Sequence, residues 1–103
     1  MKEREPTEHS LKISRAYFNA ILSGEKTFEA RRDDRGFQRG DFLLLRLYDR
    51  DMHGNLNYLP PGSNIKCPEN KANFIVVRVT WILTGGQHGI EPGYVVMSIE
   101  KSH

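Results

Sequence analysis

The sequence predicts an α+β fold: a small, mostly antiparallel β-barrel of about five strands, with one main helix packed beside it. Three observations carry this expectation. The chain has 103 residues, the length of one domain and enough for a single compact core. Segments rich in β-branched and aromatic residues recur at strand length. Only one segment has helical periodicity, and strands and helices do not alternate in the rhythm of a parallel sheet.

Residues 1–9, MKEREPTEH, are charged and of mixed sign, and read as a poorly ordered tail before a single domain over 10–103. SLKIS at Ser10–Ser14 alternates as a short strand. Ser14 then stands at the N-cap of a helix through RAYFNAILS. Phe18, Ile21 and Leu22 fall at i, i+3, i+4, with Tyr17 and Ala20 adjoining, a stripe for docking onto a sheet. Gly24 supplies the left-handed stop. A strand follows over Lys26–Arg32, with Phe28 and Ala30 on one side and Thr27, Glu29 and Arg31 on the other. DDRG and QRGD turn the chain on either side of Phe37. FLLLRLYD, Phe42–Asp49, is apolar almost throughout, as a strand buried on both sides would be. In NFIVVRVTWILTG, Ile75, Val77, Val79, Trp81 and Leu83 form one continuous apolar face. YVVMSIEK from Tyr94 closes the chain, with Val95, Met97 and Ile99 inward. The 50–72 stretch is rich in Pro, Gly and Asn and longer than ordinary connections.

Composition excludes several classes. Fifteen Lys and Arg against thirteen Asp and Glu give +2, a balance that does not by itself imply nucleic acid. Cys67 is the only cysteine, so no internal disulfide forms and a reducing cytoplasm fits. No apolar run approaches the roughly 20 residues needed to cross a bilayer, and MKEREPTEHS has no signal-peptide core. A monomeric cytoplasmic protein is expected. His9, His53, His88, His103 and Cys67 show no metal-ligand spacing, so neither metal nor cofactor is expected. Cys67 lacks a neighbouring base. LTGGQHGIEPG has four glycines without a Lys-Ser/Thr pair, and reads as a tight excursion between strands. The RGD at Arg39–Asp41 reads as a turn.

The chemistry therefore concentrates in GEKTFEARR. Residues two apart on a strand share a face, about 7 Å from each other, so Thr27, Glu29 and Arg31 align a hydroxyl, a carboxylate and a guanidinium, with Lys26 at the entrance. A solvated strand face would carry the same pattern. Two features favour a site. Arginine reads phosphate in bidentate geometry, and Arg32, Arg35 and Arg39 follow. Aromatic rings interleave with these cations: Phe37, Tyr48, Tyr58 and Tyr94. Cations with stacking rings hold single-stranded nucleic acid, at about 1–3 kcal/mol per stacked base. Of the rings, Tyr58 is expected to be exposed and Trp81 buried.

SGEKTFEARR followed by FQRGDFLLLR resembles the signature of the ASCH domain, in the PUA-like superfamily: a glycine, a lysine two residues on, a glutamate three further and an arginine two beyond, met by Gly24, Lys26, Glu29 and Arg31. VRVTWILTGG and EPGYVVMSI are similar to a bacterial and phage branch of that superfamily. The resemblance runs from about His9 to Ile99, apart from the long loop. It implies a small barrel with a cleft lined by the lysine–glutamate–arginine strand, and association with RNA, often around modified or flipped-out bases. Some ASCH members hydrolyse acetylated cytidine nucleosides and others cut RNA. The catalytic lysine of the first type corresponds to Lys26. Its threonine nucleophile falls where this chain has Glu29, and Glu91 is the only acid before the last strand to match its glutamate.

Three functions follow as expectations. The first is a binder of single-stranded RNA, or of a nucleotide or modified nucleoside, through Lys26, Thr27, Glu29, Arg31, Arg32, Arg35, Tyr58 and Tyr94. The second is a hydrolase of an acylated cytidine or an RNA phosphodiester, with Lys26 and Glu29 as an acid–base pair. The third is a protein-interaction module presenting NYLPPGSN in an extended Pro-rich form.

Overall fold

The computed structural model of the protein describes residues 5–102. It is a mixed α/β structure of six strands and one α-helix. In chain order these are β1 (Glu8–Ile13), α1 (Arg15–Leu22), β2 (Phe28–Arg32), β3 (Phe42–Arg50), β4 (Leu56–Tyr58), β5 (Phe74–Thr84) and β6 (Tyr94–Lys101). The expected tail overlaps β1, which begins at Glu8 and buries His9; residues 1–4 of that tail lie outside the described residues.

The strands run side by side in the order β1-β3-β5-β6-β2, with β4 paired to the far end of β3. All pairings are antiparallel except β1 with β3. A parallel pair needs a long crossover, and the helix together with β2 supplies it. No ladder joins β1 to β2, so the sheet is open between these strands where a closed barrel was expected.

Leu43, Leu45 and Leu47 of central β3 are fully buried, against Leu11 and Ile13 of β1, Ile75, Val77 and Val79 of β5, and Val95, Met97 and Ile99 of β6. The helix adds Phe18 and Ile21, while Tyr17 and Leu22 stay outside the core, narrowing the expected stripe. Alternation fails in the second half of β5. A β-bulge between Val79 and Trp81 sets Thr80 and Trp81 together against Ser98. Beyond it Ile82 takes the inner face, and Trp81, expected in the core, is 58% exposed. A bulge inserts one residue and so exchanges the two faces downstream.

The long 50–72 segment is folded back on the sheet. Leu59 is fully buried, its N–H donates to Leu47 O, and its own carbonyl accepts from Asn73 N. The glycine-rich excursion is as tight as expected: a Cβ on Gly85 would stand 2.0 Å from Glu91 O.

Two carboxylates fix the ends of elements. Ser14 is extended and makes no side-chain cap bond. Asp49 of β3 caps the helix instead, accepting from Arg15 N at 2.6 Å. Asp41, the aspartate of RGD, is fully buried. It accepts from Thr7 N and Gln38 N and pairs with His9 Nε2 at 2.9 Å, while the His9 ring packs edge-on against Phe37. This RGD therefore has no accessible acid.

Two predictions follow. Asp41→Ala leaves two backbone donors and a buried imidazole without their acceptor, and should lower unfolding free energy by about 3 kcal/mol in urea titrations. The bonds from Arg15 N and then Arg50 N hold the Asp49 carboxyl below its ordinary value of 3.8. Its stabilisation is therefore present above that value and is lost as pH falls through the lower folded one. Asp49→Asn, which removes the negative charge at the helix N-terminus, should be less stable than wild type by about 0.3–1 kcal/mol near neutral pH, and the gap should narrow in acid.

Candidate functional site

β2 is an edge strand, paired to β6 on one side and facing β1 across the open seam on the other. Its register sets Glu29 against Met97 and Arg31 against Val95, both buried core residues. The charged row therefore occupies the inner face. Phe28, opposite Ser98, and Ala30, opposite Val96, lie on the outer face. The alternation read from the sequence is present, with the polar side turned inward.

Three groups form one unit there. Gly24, at φ +86, ends the helix, and Lys26 N then donates to Ala20 O, fixing the approach of the lysine. Lys26 Nζ donates to Glu29 Oε1 at 2.6 Å and to Phe28 O at 2.7 Å. Arg31 Nε donates to Glu29 Oε2 at 2.6 Å. Glu29 is buried between the two cations. The ammonium also lies 4.9 Å from the centre of the Tyr17 ring and 4.8 Å from that of Phe28, where ring quadrupoles attract a cation.

The arginines also close the seam. Arg31 Nη2 donates to Lys12 O, and Arg35 Nη1 to Ser10 O at 2.8 Å. These carbonyls, two residues apart on β1, have the spacing of edge groups that a further strand would have paired.

Between the two edges lies a cleft of about 620 Å³, within the range of small-ligand sites. Lys12, Lys26, Arg31, Arg32 and Arg35 line it against the carboxylates Glu29 and Asp34. This excess of cations favours an anion. Tyr17, Phe28 and Tyr94 supply rings on its border, and the Arg32 guanidinium lies 5.2 Å from the Tyr94 ring centre.

Six of the expected residues thus share the cleft: Lys26, Glu29, Arg31, Arg32, Arg35 and Tyr94. Two do not. Thr27 precedes β2 and borders a separate groove with Gly24 and Lys101. Tyr58 pairs with Tyr48 in the β4–β3 ladder, edge to face at 5.1 Å, and is half-buried where exposure was expected. Desolvation, then the nearby Glu69 charge, raises its hydroxyl pKa. Three lining residues carry no signal of the site in the sequence. Phe28 sits on the apolar side of its strand, Tyr17 adjoins the core stripe and Lys12 occupies an ordinary alternating position, because only the long-range placement of β1 opposite β2 assigns them to the cleft. Among the described residues no group of three His, Cys, Asp or Glu side chains is placed to hold a metal, and no helix is long and apolar enough to cross a membrane.

The fold and site define a mixed α/β structure with a cationic, ring-bordered cleft at the open seam of its sheet. The chain belongs to the family described as "Domain of unknown function (DUF3850)", which matches residues 8–99. It is also similar to the "Uncharacterized 12.9 kDa protein in GpA 3'region" of Escherichia phage P2, at 43% identity over 37 residues, 36% of this chain and 34% of the phage protein. The match thus spans about a third of that relative's length.

Glu29→Gln would leave two cations facing each other without their shared counter-charge. Unfolding in urea should show a loss of roughly 2–4 kcal/mol, whereas Asp34→Asn, at a pair 3.9 Å apart and open to water, should change stability by less than about 1 kcal/mol.

Proposed function

We propose that this protein binds RNA or a nucleotide in the seam cleft. The observation that carries the reading is the Lys26–Glu29–Arg31 unit, held at one place in a cleft with surplus cations and bordering rings. In this reading the sheet is a PUA-like barrel of the ASCH type, whose seam is joined by arginine side chains instead of backbone bonds.

Each group has a role. A carboxylate has about four lone-pair sites, and Lys26 and Arg31 occupy one on each oxygen. Glu29 therefore keeps acceptor capacity for the amino or imino edge of a base. Unpaired bases expose such edges and stack on rings, here Tyr17, Phe28 or Tyr94. Arg32 and Arg35, exposed on the cleft lining, take the phosphates.

A second reading, hydrolysis, rests on the adjacency of Lys26 Nζ and Glu29 Oε1, 2.6 Å apart: a substrate that shared or displaced this bond would meet the pair as acid and base, at a nucleoside amide or an RNA phosphodiester. Turnover of acylated cytidine or short RNA that disappears in both Lys26→Ala and Glu29→Gln would support it. Turnover that survives both would remove it.

Binding of single-stranded RNA should weaken with salt. With about three phosphates neutralised, log K falls against log salt with a slope near −2. Lys26→Ala and Arg32→Ala should each reduce affinity about tenfold, with Lys71→Ala, outside the cleft lining, as control. Salt-independent affinity, or equal losses in all three variants, would count against the cleft.

A further inference from the structure

The outer face of β5, β6 and β2 is uncovered, and its composition is unusual. Trp81 of β5 and Phe28 of β2 both pair with Ser98 of β6. They therefore stand in one row, two strand spacings or about 10 Å apart, with a small serine between them. Trp81 is 58% and Phe28 47% exposed. The next row, Leu83–Val96–Ala30, is apolar and low. The result is a shelf carrying two rings.

Each ring carries a cation. The Arg39 guanidinium lies 5.0 Å from the Trp81 ring centre, and the Lys26 ammonium 4.8 Å from that of Phe28. The carboxylate of this face, Glu100, lies in the row of Arg78, directly opposite it. Two further facts argue against a passive surface. Trp81 is outside only because of the bulge at Thr80, and bulges re-aim side chains. Phe28 borders the cleft as well as the shelf, so the two are continuous.

We propose that this face is a stacking platform for single-stranded nucleic acid running on from the cleft, with one base on Phe28, another on Trp81, and Arg39, beside the far edge of Trp81, on the phosphate beyond it. The proposal rests on the cleft reading above and deepens it: the ligand is a polynucleotide segment instead of a free nucleotide. Stacking accepts any base, because every base has a π-face. The platform therefore adds affinity, while Glu29 selects within the cleft.

Trp81 is the only tryptophan, so its fluorescence reports on the platform directly. The intact chain is titrated with AMP and with an oligoadenylate of roughly eight nucleotides, within the usual site size of a single-strand-binding domain. The oligonucleotide should quench the emission and AMP should not. Trp81→Ala, which removes the fluorophore and is therefore followed by calorimetry beside wild type, should weaken oligonucleotide binding about 5- to 150-fold and leave AMP affinity unchanged. Trp81→Phe should recover most of the loss, and unchanged AMP affinity in both variants shows that they are folded. Oligonucleotide binding that ignores Trp81→Ala and Arg39→Ala overturns the platform and leaves the cleft standing. Binding lost in Trp81→Ala but kept in Lys26→Ala overturns the cleft and leaves the platform. Absence of oligonucleotide binding overturns the platform, as does self-association in sedimentation that Trp81→Ala abolishes; in the second case the face joins two copies of the chain.

Discussion

An open sheet edge leaves backbone carbonyls that must find donors, and in this protein the donors are arginines. Ser10 O and Lys12 O on β1 accept from Arg35 and Arg31. From that constraint the remaining arrangement follows. Arg31 can face inward only with a counter-charge, which Glu29 supplies from the same strand. A buried carboxylate needs both oxygens satisfied, and Lys26 takes the second. The lysine is in turn aimed by the helix stop at Gly24 and by the bond from its own N–H to Ala20 O. A strand ladder at the seam would have satisfied the same carbonyls but filled the space between the edges. Side chains span it and leave a cleft.

Two local events of one residue each decide which side of the sheet holds which chemistry. In β2 the register places Glu29 and Arg31 among core neighbours and turns Phe28 outward. In β5 the bulge turns Trp81 outward and Ile82 inward. Both rings thereby leave the interior and meet in one row across Ser98. The outlay in hydrophobic stabilisation is real, since burying such a ring contributes about 1.5–3 kcal/mol.

Much of this was legible before any coordinates. The helix, its glycine stop and five of the six strands follow from period and punctuation, because these are local properties. The shared face of Glu29 and Arg31 was also readable, since two-residue spacing on a strand fixes it, whereas Lys26 lies before β2 and reaches Glu29 by the path set at the helix stop. Three features resisted. The short β4 carries only three residues and depends on β3 for its pairing. The inversion in β5 depends on an extra residue that no alternation rule marks. The buried Asp41–His9 pair joins positions 32 residues apart, so the RGD looked like nothing but a turn. Lys12 and Tyr17 fall under the same heading: a residue's membership of a cleft between distant strands is a property of topology.

The polar unit at the seam is also preorganised, and this bears on what it can do. Lys26 is held by Glu29, by Phe28 O and between two rings; Glu29 is held by two cations. Groups already fixed by the fold lose little further freedom on meeting a ligand, so more of each contact appears as affinity. The same rigidity limits catalysis by this unit. For the pair to exchange a proton with a substrate, the ligand must displace or share a 2.6 Å charge-assisted bond, one of the stronger kinds in a protein. An acceptor with free lone pairs, by contrast, can receive a base edge without breaking anything. The proposed recognition asks for no such exchange, and in it the arginines near the seam would serve both the integrity of the sheet and the attraction of an anion.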